Sequence, residues 1–388
     1  MTQAYATDQL PAGPSRCIWA VLSHRSGENT QILALARELA VRSGWSLEIK
    51  SLAYRPAGLY NLLRPVGVHG IRSSARAELQ PPWPDVIVSA SVSNEPPCRW
   101  VRRQSGGRTR LVFLGRSWMR SEDLDLLVAT PQYRVPDLPA VLQNQLTLHD
   151  WSPLRLKQAA LKWEAEFANY PGPRIGVLLG GSAGPYVLGA NAIQQLANYL
   201  NDRSDGSVLI STSSRTPPDL GARLAEKLRR PAFVYSWRAG DKTNPYPGIL
   251  ALADELIVSG DSIAMLSEAV ATKKPVSILD LGAGAWSMGS RAGRAGSTED
   301  IDLKARCYRL MMRYGHRRWT RDVTLVHQSM IASGQAGWLG ETVPVGSTLA
   351  GADMDAAIDR IIKLCASQDS VRGAAEGVTS AKRPSTTR

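Results

Sequence analysis

The sequence predicts an α/β protein made of two successive Rossmann-like halves, and three observations lead there. Short apolar runs alternate with helical periodicity along most of the chain. That alternation stops near residues 165–175 and then restarts. The chain has 388 residues, enough for two cores of ordinary size.

The first half opens on CIWAVLS (17–23), a continuous apolar run read as a buried strand. The polar turn HRSGEN follows, and then a helix from Thr30, in which Ile32, Leu35, Ala36 and Leu39 share one face. SLEIKSL (46–52), PDVIVSA (84–90), RTRLVFLG (108–115) and DLLVATP (125–131) supply four more strands. LKQAALKWEAEFANY (156–170) reads as a helix that PGP at 171–173 breaks. The second half then runs RIGVLLGG (174–181), a helix over 187–201, SVLISTSSR (207–215), a helix over 219–228 and AFVYSW (232–237). ILALADELIVSG (249–260) is a helix feeding a strand, an alanine-rich helix follows, and PVSILDL (275–281) closes the series. The expected organisation is therefore a flexible N-terminus (1–16), an N-terminal Rossmann-like domain (17–165), a linker (166–174), a C-terminal Rossmann-like domain (175–366) and a disordered tail (367–388).

Forty-six Lys and Arg against 34 Asp and Glu give a formal charge of +12, a balance that favours anionic partners. Cys17, Cys98, Cys307 and Cys365 show no CxxC or Cys/His spacing, which argues against a disulfide framework and a zinc site and points to a reducing cytoplasm. The N-terminal residues lack a basic start and an apolar core, so no secretory signal is expected. The charge-free stretch 175–200 carries Gly180, Gly181, Gly184 and Pro185, which read as strand, loop and helix and not as a membrane span. An aromatic share of 6% and the lack of any recognisable motif speak against nucleic acid as the anionic partner.

In open α/β sheets ligands gather at the carboxyl ends of strands. Three loops of the second half qualify: Gly180-Gly181-Ser182, Ser211 to Arg215, and Ser259-Gly260-Asp261-Ser262. Small residues let phosphates approach backbone N–H groups at helix N-termini, hydroxyls add donors, and Arg215 suits bidentate contact with phosphate. Ser262 is placed to cap the helix that follows, and Glu268, two turns on, to accept from ribose hydroxyls. Each feature also has a plainer reading: a cap, a turn, a solvated helix residue. The three loops together carry more weight, because the alternation puts them on one edge of one sheet. That edge is not an oxidoreductase site. No GxGxxG opens the first βα unit, GAGAWS (282–287) lacks the last glycine, and the chain has neither Tyr-x-x-x-Lys nor a Walker A loop.

The block NPYPGILALADELIVSGDSIAMLSEAVATKKPV (244–276) resembles the signature of the mitochondrial-fission (elongated-mitochondria) family, through Asn244-Pro245-Tyr246, Asp261-Ser262, Met265, Ser267-Glu268-Ala269, Thr272 and Lys274-Pro275-Val276. Gly27, Asn29 and Gln31 with ALARELA, then PDVIVSA, DLLVATPQYRVP and LISTSSRTP, extend the resemblance over about residues 17–360. The chain departs from the pattern at SHRSGEN, where an acid is expected near the start, and at Ser213-Ser214, where a second Arg is common.

The resemblance implies a glycosyltransferase of the GT-B type, with a nucleotide-sugar in the C-terminal domain, an acceptor in the N-terminal domain and a cleft between them. It implies no cofactor and no bound metal. The plant relatives imply a different role, that of a non-catalytic adaptor at a membrane. On the transferase reading Gly180, Gly181, Ser182, Ser211, Ser213, Arg215, Ser259, Asp261, Ser262, Met265, Ser267 and Glu268 hold the donor, and His24 or Glu28 serves as base, with Asp261 as a third candidate. Arg99, Arg102, Arg103, Arg108, Arg110, Arg116 and Arg120 occur with no acid among residues 96–121, with Trp100 and Trp118 interleaved. They suit a lipid-linked or anionic acceptor, or peripheral docking on the inner membrane, with the stretch 58–72 as an apolar contact, and equally a solvated face.

Overall fold

The structure is a computed structural model that describes residues 16–54, 66–120, 123–203, 205–282, 286–289, 303–342 and 351–380, with side chains to Ser367. Expectations for 1–15, 58–65, 283–285 and 381–388 lie outside the described residues. The chain divides into two units, each built on a parallel sheet: the described parts of Met1–Val128, Leu138–Leu142 and Asp355–Arg388 form one, and those of Ala129–Asp137 and Gln143–Met354 the other.

The first sheet contains β1 (Cys17–Leu22), β2 (Ser46–Ser51), β3 (Val86–Ala90), β4 (Arg110–Leu114), β5 (Leu126–Ala129) and β6 (Val141–Gln143), in the order β2-β1-β3-β4-β5-β6. β3 and β5 are buried along their whole length, which is why they read as unbroken apolar runs; β2, at the edge, is half-buried only at Leu47 and Lys50. Parallel registers such as Ile18 opposite Val86 and Val88 opposite Val112 line up the carboxyl ends of the strands. Helix α1 (Ser26–Ser43) starts four residues earlier than its periodicity suggests, with Glu28 favoured by the dipole in the first turn. It ends at Gly44, where φ is 71° and the N–H donates to the Ala40 carbonyl. Helix α2 (Glu95–Gln104) follows β3.

The second sheet contains β7 (Arg174–Leu179), β8 (Ser207–Thr212), β9 (Ala232–Tyr235), β10 (Glu255–Ser259), β11 (Val276–Leu279) and β12 (Gly337–Trp338), ordered β12-β11-β10-β7-β8-β9. Numbered within the unit this is the 3-2-1-4-5-6 order of a Rossmann sheet, whose direction of winding reverses between β7 and β10. Its helices are α3 (Pro153–Phe167), α4 (Ala190–Asn201), α5 (Leu220–Glu226), α6 (Tyr246–Leu252), α7 (Ile263–Ala271), α8 (Leu303–Tyr314) and α9 (Thr324–Ala332). Strand alternation sorts the core into two layers: Leu178, Leu256 and Val258 pack with α6 and α7, whereas Val177, Leu179 and Ile257 pack with α4.

Two boundaries fall elsewhere than expected. Helix α3 belongs to the second unit, because Phe167 is fully buried there against Trp163, Tyr170 and Phe233, with ring centroids 5.1–6.5 Å apart. At the other end, helix α10 (Ala352–Ser380) returns to the first unit and buries Ala357, Ile358, Ile361 and Cys365. It also corrects the disordered tail expected from 367. The helix runs on although Gly373 and Gly377 each cost about 1 kcal/mol relative to alanine, and no proline stands before Pro384 to end it.

Helices α3 and α6 pack through Gly248, where an added Cβ would lie 2.4 Å from Cγ and 2.5 Å from Cβ of Trp163. Alanine favours a helix by about 1 kcal/mol over glycine, but an overpacked contact of this kind costs about 1–3 kcal/mol. Gly248→Ala is expected to destabilise the second unit on balance, measured as a lower denaturant midpoint than that of the wild-type chain.

Candidate functional site

The winding reversal between β7 and β10 places the carboxyl ends of β7, β8 and β10 side by side, and the three small-residue turns meet there. The Gly180 N–H donates to Ser259 Oγ at 2.7 Å, and the Gly181 N–H to Asp261 Oδ2 at 2.8 Å. The Ser259 hydroxyl donates to Asp261 Oδ1 at 2.7 Å. Arg215 closes the group from the β8 turn, its guanidinium 2.8 Å from Asp261 Oδ2. The Ser213 hydroxyl donates to the Gly180 carbonyl at 2.6 Å, and Thr216 bonds the carbonyls of Leu179 and Gly180.

Asp261 is thus the centre of the rim. Burial raises its carboxyl above the ordinary range, and Arg215, the Ser259 hydroxyl and the Gly181 N–H act against that rise. The two glycines answer to it as well. A Cβ on Gly180 would sit 2.5 Å from the Asp261 carboxylate oxygens, and one on Gly181 2.6 Å from the Arg215 carbonyl.

The expected donor-binding residues separate accordingly. Ser182 is exposed, accepting from the Leu188 N–H, and Arg215 keeps 43% of its side chain exposed. Gly180 and Gly181 spend their N–H groups inside the protein, so the notion that these two N–H groups cradle phosphate is corrected: a buried carboxylate occupies that place. Ser211 is buried, its hydroxyl without a partner among the described residues. Ser262 stands at the N-cap of α7 but makes no side-chain cap bond, which leaves its hydroxyl and the first N–H groups of the helix unengaged by a cap. Met265 packs against the core. Ser267 is buried, donating to Ile263 O and accepting from the Thr147 N–H.

Glu268 corrects an expectation. It is 9% exposed and accepts from the Tyr246 hydroxyl, with Trp151 as a further donor. Burial pushes its carboxyl up to about 7. Removing it would leave the Tyr246 hydroxyl buried and unpaired, so Glu268→Ala disturbs the fold and cannot report on ligand contact alone.

Several residues of this rim escaped the sequence. Arg321 lies within electrostatic reach of Asp261, and its N–H donates to the Tyr308 hydroxyl at 2.9 Å. Tyr308 packs under the loop after β7, where a Cβ on Gly184 would meet its ring at 2.8 Å. Asp280, just past β11, binds the N–H groups of Gly282 and Met288 and the Ser287 hydroxyl; its place after a strand was the available signal. His327 is fully buried on α9, with Nε2 2.7 Å from the Gly260 carbonyl and its ring edge-on to Trp338. A single histidine in an apolar helix gave no signal. Among the described residues no group of three or more His, Cys, Asp or Glu is arranged to hold a metal ion.

In the first unit His24 is exposed and Glu28 half-buried, both just beyond the carboxyl end of β1. Glu28 accepts from the Ser23 hydroxyl at 2.5 Å and from Arg25 at 3.3 Å. The basic segment is largely committed to its own fold: Arg99 pairs with Asp123 at 2.7 Å, while Arg102 and Arg110 pair with Asp125 at 3.2 and 2.7 Å. Arg103 is exposed. The acids that neutralise the segment follow it directly in sequence, beyond the acid-free window.

The family model described as "Mitochondrial fission ELM1" matches residues 26–293. The chain is 34% identical to the mitochondrial fission protein ELM1 of Arabidopsis thaliana over 148 residues, which is 38% of this chain and 34% of that protein; the matched stretch thus spans about a third of the relative. Among solved structures, the MnaA–UDP complex of S. aureus resembles the chain with a TM-score of 0.43 and 11% identity, covering 89% of this chain and 95% of that one. The ADP-heptose LPS heptosyltransferase II of E. coli gives 0.42 and 12%, covering 91% and 99%. The catalytic domain of starch synthase IV of A. thaliana, bound to ADP and acarbose, gives 0.44 and 10%, covering 91% and 100%. Likenesses this distant say nothing of activity, and the two Rossmann-like units stand on the strand orders themselves.

Burial holds His327 at about 4, against an ordinary 6.5. The unfolded chain therefore binds a proton that the folded chain refuses between those values. Stability is intact above about 6.5 and falls as pH drops toward 4, by about 3 kcal/mol for this group. His327→Gln keeps a donor for Gly260 and removes the titration. Denaturant midpoints between pH 7 and pH 4.5 should fall less steeply in the variant, and parallel profiles would refute the assignment.

Proposed function

The chain belongs to the mitochondrial fission ELM1 family, and on that footing we propose that it transfers a sugar from a nucleotide-activated donor to an acceptor hydroxyl. The observation that carries this reading is the rim of the second sheet: a half-exposed Arg215 locked onto a buried Asp261 at a topological switch point, beside an uncapped helix N-terminus and the Ser262 hydroxyl.

In the proposed reaction the acceptor oxygen attacks the anomeric carbon, the bond from that carbon to the diphosphate oxygen breaks, and a base removes the acceptor proton. Charge grows on the departing diphosphate. Arg215, the first N–H groups of α7 and the nearby Arg321 are the groups that would meet it, so the reading calls for positive charge from the protein itself and for no bound metal. Because Asp261 holds Arg215 in place before any ligand arrives, its charge is fixed where it is needed. His24 or Glu28 takes the proton. The acceptor is of the lipid-linked or anionic envelope class, reached from the cytoplasmic side by a protein peripheral to the inner membrane. Among the described residues no helix is long and apolar enough to cross a membrane.

A second reading, a non-catalytic membrane adaptor, draws on the 34% identity to the plant protein and on one structural observation. Much of the family signature is satisfied internally. Tyr246 holds Glu268, Ser267 holds Thr147, and Lys274 donates to the Leu250 and Ala251 carbonyls at the end of α6. Residues with such roles would persist in a scaffold that binds no sugar.

A thermal-shift series with UDP-, GDP-, ADP- and CMP-sugars separates the two. On the transferase reading one of them raises the unfolding midpoint by mass action. Arg215→Lys and Ser262→Ala then weaken its affinity about three- to tenfold without lowering the midpoint of the unliganded protein. If none of the four shifts the midpoint, the transferase reading fails and the adaptor stands.

A further inference from the structure

We propose that the outer face of α8, with the turn that follows it, docks this protein onto an anionic lipid surface. A helix on the surface of a globular unit normally turns its apolar stripe inward. Helix α8 does the reverse. Leu303, Leu310, Met311 and Tyr314 are 77, 58, 41 and 74% exposed, and Trp319 in the following turn is 59% exposed. Positions 303, 310, 311 and 314 are spaced i, i+7, i+8 and i+11, so they form one continuous outward stripe. The opposite side of the helix is the one engaged with the protein. Ala305 is buried, Tyr308 packs under Gly184, and Arg309 lies over the Trp286 ring at 4.0 Å.

Charge selects the occupant. Between Asp302 and Asp322 the chain carries seven Lys and Arg and no acid, and Lys304, Arg306, Arg313, Arg317 and Arg318 among them are exposed. Lys304 flanks the stripe on one side and Arg306 and Arg313 on the other, all three exposed. An apolar band with a cationic border on both sides matches the boundary between acyl chains and phosphate headgroups, and the rings of Tyr314 and Trp319 suit headgroup depth. A nucleic acid would satisfy the cations and leave Leu303 and Leu310 in water. With 12 residues, α8 is about 18 Å long and lies in the plane of a surface; it is too short to cross a bilayer. This surface is distinct from the one expected around Arg99, where Arg99 and Arg102 pair with Asp123 and Asp125. It deepens the peripheral-membrane part of the proposed function and rests on that part alone, not on sugar transfer.

The test is flotation of the full chain with vesicles of phosphatidylcholine alone or mixed with phosphatidylglycerol, at low and high salt. The wild-type protein should float with the anionic vesicles, and salt should weaken the association. L310E/Y314E and K304E/R313E should each reduce binding by about tenfold or more. These side chains are exposed, so the unfolding midpoint and any nucleotide-sugar shift should be unchanged, which keeps this outcome separate from that of the transferase test. Failure of the wild-type chain to float, or flotation of L310E/Y314E equal to wild type, overturns the proposal. So does binding to a polyanion such as single-stranded nucleic acid in place of vesicles, indifferent to L310E/Y314E.

Discussion

A carboxylate with almost no exposure to water holds the second unit's rim together. Asp261 accepts from Ser259, Gly181 and Arg215, and those three partners come from three different strand ends. Asp261 is the buried partner and Arg215 reaches it from the solvent side, so the hydrogen bonds from Ser259 and Gly181 hold the carboxylate as much as the ion pair does. The dependence runs outward from there. Gly180 and Gly181 have no side chain because Asp261 and Arg215 stand where one would go. The Gly260 turn that delivers Asp261 is backed by His327, Met288 and the Leu279 carbonyl, with no room for a Cβ. The position of Arg215, the residue with most of the site's chemistry, is set by a group that no ligand would touch.

The alternation of apolar runs and helices made the two sheets legible, because their central strands are buried on both faces and read as unbroken hydrophobic segments. Helices α8 and α9, past the strand at 275–281 that closes the expected series, escaped, and so did elements that are short or non-local. β6 and β12 have three and two residues, below the length at which a periodicity exists. The return of α10 to the first unit rests on contacts between Arg16 and Cys365 and between Arg42 and Asp355, pairs more than 300 residues apart. The candidate site was legible as a set of three turns on one rim. Its wiring was not: nothing in Gly-Gly-Ser distinguishes glycines that make room for phosphate from glycines that make room for a carboxylate. The basic segment misled for a related reason, since Asp123 and Asp125 lie just past the window in which no acid appears.

The signature that marks the family is, in this chain, largely a description of how α6, α7 and β11 lock together. Tyr246 and Glu268 join α6 to α7, and Lys274, its amine lowered to about 8 by burial, caps the end of α6 through two carbonyls. Asp261 and Ser262 are the part of the same block that reaches the rim. A motif can therefore identify the family while most of its residues serve packing, and the family name by itself decides little about chemistry.

One consequence of the Asp261 linkage concerns the energetics of recognition. The turns are already fastened to one another, so on the transferase reading a diphosphate would find a finished socket and need not freeze loose chain to create one. Ordering costs that usually erode affinity would then be small, and discrimination between donors would fall to shape and charge. On that reading such a socket would also be exacting: with Arg215 paired to Asp261 from behind, differences in the length of the guest would be felt as differences in affinity.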